Sequence, residues 1–236
     1  MQLEGIPQLD NMNYKNIQVI DLSNNKISDI SNLTNYQFRD LKELKISDNK
    51  ISTFPNMFVN FSTLKSIDLK GNQLDSFLED LMFDGLVFPN LEYLDLSVNK
   101  LRSIPTIFKY LRKLKTFLCS NNMISDITYI YTNQNTNMDI LDLGNNKIEM
   151  LLDGIPQLYP NLKIFNIENN DLKSIPTDLC LLQLNKLNIQ GNPIKQMRSS
   201  IILGGTNSIL EYLKKMHKFP EDCNNTENAK TSELEQ

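Results

Sequence analysis

The residues best suited to chemistry are four aspartates that recur at regular intervals along the chain. They are Asp21, Asp68, Asp95 and Asp142. Paired carboxylates can act as acid and base on a glycosidic bond if one of them has a raised pKa. Each aspartate, however, lies in a short alternating segment that is typical of an open, solvated strand with no pocket. We therefore expect these residues to serve the fold or a binding partner, and we assign no catalytic residues.

A single histidine limits the remaining catalytic chemistry. His217 is the only histidine in 236 residues, so the chain cannot supply a Ser-His-Asp triad, a Cys-His pair or a multi-histidine metal site. Gly204-Gly205 is not followed by the lysine of a phosphate-binding loop. We expect a solvated His217 at a helix end, and a non-enzymatic chain with no cofactor and no metal.

Composition restricts the partners and the location. The net charge of −4 and the pI of about 5.1 argue against nucleic-acid binding. No apolar run approaches the roughly 18 residues that span a bilayer, and residues 1–4 do not resemble the start of a signal peptide. The three cysteines, Cys119, Cys180 and Cys223, lack metal-ligand spacing and suit a reducing compartment. We expect a cytoplasmic or nuclear protein with no membrane contact.

An eleven-residue template, LxxLxLxxNxL, recurs through the chain with other apolar residues as substitutes for leucine. Successive copies begin 24, 23, 27, 23, 24, 24 and 22 residues apart. The period predicts eight repeats that stack into one continuous core, because no single repeat could bury its own apolar side. The copies start at Ile17, Leu41, Leu64, Leu91, Leu114, Met138, Leu162 and Leu184.

Asparagine occupies the ninth template position of every copy. An amide side chain where the chain leaves a strand can hydrogen-bond backbone groups that would otherwise be buried without partners. We predict a structural ladder of these amides and assign them no ligand contacts. Its members are Asn25, Asn49, Asn72, Asn99, Asn122, Asn146, Asn170 and Asn192.

Over residues 17–194 these copies resemble the leucine-rich-repeat superfamily. The resemblance implies an α/β solenoid: a right-handed horseshoe with a parallel concave sheet, eight repeats and a C-terminal helical cap. It also implies a non-enzymatic scaffold or interaction module that binds a protein partner on the concave face. The segments between templates, such as Ile175–Leu179, should form short 3₁₀ turns on the convex side.

Two narrower resemblances suggest more specific roles. The run from Gly191-Asn192-Pro193-Ile194 to Lys214 resembles the end of the leucine-rich-repeat-containing protein forty family, which implies an intracellular protein-binding solenoid. Residues 27–33 and 124–127 resemble the nuclear regulatory subunit of protein phosphatase one, which implies a serine/threonine phosphatase as an alternative partner. A third hypothesis is that the chain is a structural segment of a longer scaffold and that its ends make the contacts.

The chain divides into four predicted segments. Residues 1–16 form a partial N-terminal repeat, because residues 3–9 match residues 152–158, and residues 17–195 form the eight repeats. Residues 196–219 form a helical cap, and residues 220–236 a disordered polar tail. In the cap, Thr206 is the expected N-cap, and the residues expected on one buried face are Ile209, Leu210, Leu213 and Met216. The N-terminal edge lacks such a cap, which predicts either a fragment of a longer solenoid or self-association.

The outward third and fifth template positions carry an uneven set of residues in repeats four to seven. Since these residues have no packing role inside the stack, we expect them to form the concave surface. An apolar centre with a charged rim is typical of a protein interface. The predicted centre is Tyr93, Leu118, Ile140 and Ile164, and the predicted rim is Asp95, Asp142 and Glu168.

Two further features have mainly structural interpretations. Tenth-position lysines should form a solvated ridge along one edge, with binding of phosphate or acidic peptides as the alternative. Cys119 replaces an inward leucine and should be an inert, buried thiol. The ridge consists of Lys26, Lys50, Lys100 and Lys147.

Overall fold

In a computed structural model, the described residues form eight short strands and the turns that connect them. The described residues are 2–7, 14–36, 38–56, 61–78 and 88–217. The strands make one parallel sheet in which spatial order equals chain order. Their bounds are β1 Val19–Asp21, β2 Glu43–Lys45, β3 Ser66–Asp68, β4 Tyr93–Asp95, β5 Thr116–Leu118, β6 Ile140–Asp142, β7 Ile164–Asn166 and β8 Lys186–Asn188.

The strands pair without any shift in register. The central residue of each strand therefore lies beside the central residue of the next, as Leu94 lies beside Phe117 and Phe117 beside Leu141. Leu94, Leu141 and Leu187 are only 1%, 0% and 3% exposed. Inward-facing apolar residues of successive repeats thus form one continuous core, and the predicted leucine-rich-repeat solenoid is confirmed.

The amide of Asn49 illustrates how neighbouring repeats are joined. Its Nδ2 donates to the carbonyl oxygens of Leu22 at 2.9 Å and Ile46 at 3.2 Å, and its Oδ1 accepts the Ile27 N–H at 3.0 Å. Each ninth-position asparagine accepts the corresponding N–H of the repeat before it. The buried turns are therefore cross-linked by side-chain hydrogen bonds.

The chain leaves every strand through a residue with a positive φ. At the eighth template position φ lies between 49 and 71° in all eight repeats. Glycine, asparagine and aspartate tolerate this left-handed region, and they occupy seven of these positions. Val98, at φ 56°, is the β-branched exception.

Short helical turns connect most of the strands on the side of the core away from the sheet, which we call the convex side. The outward face of the sheet is called the concave face. The longer 3₁₀ turns are Ser31–Asn35, Thr106–Tyr110, Thr128–Thr132 and Thr177–Leu181, a three-residue turn spans Tyr14–Asn16, and helix α1 spans Ile155–Leu158. Pro105 and Pro176 stand directly before two of these turns. Rings that fix φ near −65° favour the start of a helical turn.

Two helices follow the last strand, α2 over Ser199–Leu203 and α3 over Gly205–Met216. Ile209 and Leu213 are buried, but Met216 is 54% exposed, so its predicted place on the buried face is wrong. Met216 instead lines a cavity beside Asp178 and His217. The predicted tail at 220–236 lies outside the described residues.

Thr206 does not cap a helix, contrary to the sequence-based expectation. Helix α3 begins at Gly205, and the Thr206 hydroxyl accepts the backbone N–H of Leu187 at 2.9 Å. Among the described residues no strand pairs with β8 on this side, so no neighbouring strand accepts this N–H. The hydroxyl therefore provides a hydrogen-bond acceptor at the open edge.

The opposite edge of the sheet is less well covered. Leu3 makes the two hydrogen bonds that the eleventh residue of a template makes to the next repeat. Its N–H donates to Asn25 Oδ1 at 2.8 Å, and its carbonyl oxygen accepts the Lys26 N–H at 2.8 Å. In β1, however, Ile20 is only partly buried and Val19 is 48% exposed. The N-terminal edge thus retains accessible apolar surface.

Candidate protein interface on the concave face

The register of the sheet places the predicted interface residues in two rows. Third-position residues form one row, in which Tyr93 pairs with Thr116, Thr116 with Ile140 and Ile140 with Ile164. All four are partly buried. Ile140 and Ile164 are direct neighbours, whereas Thr116 separates Ile140 from Tyr93. The apolar centre is therefore interrupted by one threonine in this row.

Fifth-position residues form the second row. Leu118 pairs with Asp95 on one side and with Asp142 on the other. Leu118 and Asp142 are partly buried, and Asp95 is only 5% exposed. The structure thus places the apolar Leu118 between two carboxylates, next to the third-position row.

Tyr93 and Asp95 contact each other within β4. The Tyr93 hydroxyl donates to Asp95 Oδ2 at 3.3 Å, and the Ser97 N–H donates to Asp95 Oδ1 at 2.8 Å. Burial, reinforced by the charges of Asp95 and Asp68, raises the pKa of Tyr93 well above its ordinary value. Tyr93 therefore remains a hydrogen-bond donor at neutral pH.

The fifth-position carboxylates have a structural role in their turns. Oδ1 of Asp142 accepts the N–H of Gly144 at 3.0 Å, and Asp21, Asp68 and Asp95 accept the same bond in their own repeats. Asn166 and Asn188 accept the equivalent bond with a neutral amide oxygen. This hydrogen bond therefore requires an oxygen acceptor but no charge.

A polar network joins the acidic residues of repeats six and seven. Nδ2 of Asn166 donates to Asp142 Oδ1 at 2.9 Å and to Glu168 Oε1 at 3.3 Å. Asn188 Nδ2 donates to Glu168 Oε2. Amides thus hold Asp142 and Glu168 in place without neutralising them.

Burial raises the pKa of Asp142, and it also raises the pKa of Asp68, whose neighbour Asp95 adds to the shift. The expectation that these strands give no reason for a raised pKa is therefore wrong, because packed neighbours desolvate both carboxylates. A raised pKa alone does not make a catalyst. The cavities found between the convex turns and at the cap are lined by other residues, so they do not enclose these carboxylates.

Charged residues at the second template position form a row that sequence reasoning missed. Glu92 lies 2.7 Å from Lys115 and 3.8 Å from Lys65, and Lys163 lies 2.7 Å from Asp139. Aligning the second position across repeats, where lysine alternates with acidic residues in repeats three to seven, would have revealed these pairs. Each pair is more than a third exposed, so water and salt screen it and it adds little to stability.

The other predicted residues have simpler environments. The ridge lysines Lys26, Lys50, Lys100 and Lys147 are exposed, but Gln73 and Met123 interrupt their row. Cys119 is 0% exposed, and burial raises the pKa of its thiol. His217 is partly buried, with Nδ1 3.1 Å from Thr177 Oγ1, so the expectation of a solvated histidine is wrong.

Comparison with known proteins identifies the repeats. A leucine rich repeat model matches residues 15–74, and a model of two leucine rich repeat copies matches residues 89–131. Internalin C2 of Listeria monocytogenes superposes with a TM-score of 0.62 at 20% identity, covering 77% of this chain and 74% of that one. The TLR13–ssRNA13 complex gives a TM-score of 0.62 at 25% identity over 77% of this chain and 26% of that one.

Curated relatives share part of the sequence. Tsukushi of Gallus gallus is 29% identical over 68% of this chain and 43% of its own length. Tsukushi of Xenopus tropicalis is 32% identical over 61% of this chain and 41% of its own. Mimecan of Coturnix japonica is 29% identical over 58% of this chain and 47% of its own. The chain thus spans less than half the length of these relatives.

These relatives correct the predicted location. Tsukushi and mimecan are secreted extracellular-matrix proteins, so the expectation of a cytoplasmic or nuclear, intracellular protein is wrong. That expectation rested partly on the few cysteines. Asparagine hydrogen bonds join the repeats of this solenoid, so it needs no disulfides inside or outside the cell. Within the described residues, no helix is long and apolar enough to cross a bilayer. The two models match leucine-rich repeats within residues 15–131, and the eight parallel strands have the fold of a leucine-rich-repeat solenoid.

Proposed function

We propose that the chain is a non-enzymatic module that binds a protein partner on its concave face. The interface consists of Tyr93, Asp95, Leu118, Ile140, Asp142, Ile164 and Glu168. The observation that carries the proposal is the register of β4 to β7, which brings these outward residues onto one surface. The inward residues already form the core, so the outward apolar side chains are available to a partner.

The mechanism is rigid display of a preformed surface. Short strands, the asparagine hydrogen bonds and the network around Asn166 fix the interface residues before binding. A fixed surface loses little conformational entropy when the partner docks, which favours affinity. The secreted relatives support an interaction role without naming a partner for this chain.

Site-specific photocross-linking tests the proposal. A benzophenone amino acid at Thr116, between Tyr93 and Ile140, is expected to give a discrete protein adduct. The same probe at Ser125, an exposed residue on the convex side of the same repeat, is the matched control. Adducts formed at position 125 but not at position 116 would place the interface elsewhere. Mass spectrometry of the adduct identifies the partner.

A second candidate function is that of a scaffold segment that makes contacts through its N-terminal edge. It rests on the 48% exposure of Val19 and the incomplete burial of Ile20 in β1. Edge strands with exposed apolar residues readily pair with another chain. This candidate predicts self-association in sedimentation velocity experiments that is lost in Val19→Lys. A monomer at all concentrations would contradict self-association.

The remaining alternatives rest on sequence resemblance alone. A phosphatase-regulator role predicts co-purification with a serine/threonine phosphatase catalytic subunit, and no contact in the structure favours it. The likeness of the C-terminal repeats and cap to the protein forty family adds no partner of its own.

A further inference from the structure

The proposed interface has an unbalanced charge. At the third, fifth and seventh template positions of repeats four to seven, the chain carries three carboxylates and no lysine or arginine. The carboxylates are those of Asp95, Asp142 and Glu168. The concave surface of these repeats therefore has negative charge around an apolar centre.

The fold does not require this charge. In repeats seven and eight, Asn166 and Asn188 make the same turn hydrogen bond that Asp95 and Asp142 make in theirs. Desolvation, with the nearby Glu168, raises the pKa of Asp142, so its ionised form is disfavoured in the folded chain. The charge of Asp142 thus brings an energetic cost that a neutral residue would avoid.

Glu43, Glu92 and Asp139 are the acidic residues of the described chain found in ion pairs. In the second-position row, Glu92 pairs with Lys115 at 2.7 Å and Asp139 pairs with Lys163 at 2.7 Å. None of the ion pairs found among the described residues includes Asp95, Asp142 or Glu168. One of these ion pairs, Glu43 with Lys45, lies on the outward face of the sheet in repeat two, and the others lie along the rim, so none balances the carboxylates of repeats four to seven.

We propose that the partner presents a basic, partly apolar segment to this face. Its lysine or arginine side chains contact Asp142 and Glu168 and lie above the buried charge of Asp95, and its apolar side chains cover Tyr93, Leu118, Ile140 and Ile164. The inference rests on the proposed function and adds the chemical class of the partner. Complementary charge would fix the register of the complex and speed its formation.

The spacing of the strands restricts the segment further. Asp95 and Asp142 lie two strands apart, which corresponds to about 10 Å across a sheet. A polyproline II segment has three residues per turn and rises about 3.1 Å per residue, so basic residues three positions apart lie on one face about 9 Å from each other and would approach both carboxylates. A segment that crosses the strands with this spacing would place the residues between its cations above Leu118.

Selection from a displayed library of random peptides tests the inference. Peptides that bind the wild-type chain are selected first. Those that fail to bind the Tyr93→Ala/Ile140→Asp variant are then kept, because their binding depends on the concave face. Those peptides are measured on Asp95→Asn/Asp142→Asn/Glu168→Gln. The matched control, Asp29→Asn/Asp126→Asn/Glu149→Gln, removes the same residue types from the convex side, where Asp29 and Asp126 also accept a turn N–H.

We expect the concave binders to be enriched in lysine or arginine, with pairs three positions apart. Neutralising the interface should weaken them about tenfold, and the control should leave them unchanged. As a second measurement on the unmutated chain, raising the salt concentration should weaken binding. Concave binders without basic residues, or with equal affinity for the neutralised chain, would overturn this inference and leave the proposed function standing. A selection that yields no peptides sensitive to Tyr93→Ala/Ile140→Asp would overturn both.

Discussion

The Tyr93 hydroxyl donates a hydrogen bond to Asp95 Oδ2, two residues further along the same strand, at 3.3 Å. This contact fixes the ring of the one aromatic residue of the proposed interface. A tyrosine that is already ordered offers a large contact area with little entropy left to lose on binding. The contact also explains why Asp95, at 5% exposure, tolerates burial with two hydrogen-bond donors and no cation.

The first prediction concerns the interface itself. Tyr93→Ala combined with Ile140→Asp should abolish binding of the partner, because it removes the aromatic contact and adds a charge to the apolar centre. The thermal midpoint should fall only slightly, since neither side chain lies in the core and loss of the Tyr93 side chain opens Asp95 to water. The matched control, Tyr129→Ala with Met150→Asp, makes a comparable tyrosine-to-alanine and apolar-to-aspartate change on the convex side, where Met150 is 63% exposed. Retained binding by the first variant in a pull-down assay would refute the site.

The second prediction concerns pH. Because burial raises the folded-state pKa of Asp142 above 3.8, the folded chain binds this proton more tightly than the unfolded chain. Stability is therefore lost as pH rises through the window above 3.8, and the full penalty is present at neutral pH. Asp142→Asn should raise the thermal midpoint at pH 7, and the gain should vanish at low pH.

Asp126 is the control, because its ionisation should affect stability in the opposite direction. Hydrogen bonds from the Thr128 hydroxyl and N–H lower the pKa of Asp126, so its contribution is present above 3.8 and lost as pH falls through the lowered value. Asp126→Asn should lower the midpoint at pH 7 and have no effect in acid. Scanning calorimetry between about pH 3 and 7 separates the two cases. Changes in the thermal midpoint that have the same sign in Asp142→Asn and Asp126→Asn at pH 7 would contradict the opposite pKa shifts of the two residues.

The third prediction concerns Val98. This β-branched residue adopts φ 56°, where the other repeats have asparagine, aspartate or glycine. Val98 is 43% exposed, so its replacement sacrifices little packing. Val98→Asn should raise the free energy of unfolding by about 1 kcal/mol, as measured in urea. The reverse change at the equivalent position, Asn121→Val, should lower it, and a stabilising Asn121→Val would disprove the explanation.

The fourth prediction concerns the last strand. Thr206→Val removes the acceptor of the Leu187 N–H and should cost about 1–2 kcal/mol. Thr206→Ser retains the hydroxyl and should keep most of the stability. Hydrogen exchange of the Leu187 amide gives a local measurement, and exchange should become faster in the valine variant alone. Equal protection in all three chains would show that the contact is unimportant.

Periodic features were predictable from the sequence, because each is repeated eight times. The strands, their buried central residues and the asparagines at the turns all follow from one template. The template also sets the register between neighbouring strands. That register determines which outward residues are neighbours, such as Leu118 beside Asp95 and Asp142.

Contacts that occur once could not be predicted in this way. The bond from Leu187 to Thr206 depends on where helix α3 crosses the last strand. The burial of Asp95 depends on the packing of neighbouring side chains, which the open-strand argument ignored. The predicted location was wrong because it rested on cysteine usage, and a buried thiol such as Cys119 packs as a small apolar residue in any compartment.

The order of the strands has a consequence for how the molecule comes apart. Each repeat touches mainly the repeats directly before and after it, so opening can proceed one repeat at a time. At β8 the sheet edge is held by Thr206, whereas at β1 the central Ile20 is only partly shielded from water. Melting should therefore start at β1 and advance toward the cap, so the proposed interface in the later repeats would survive the loss of the first ones.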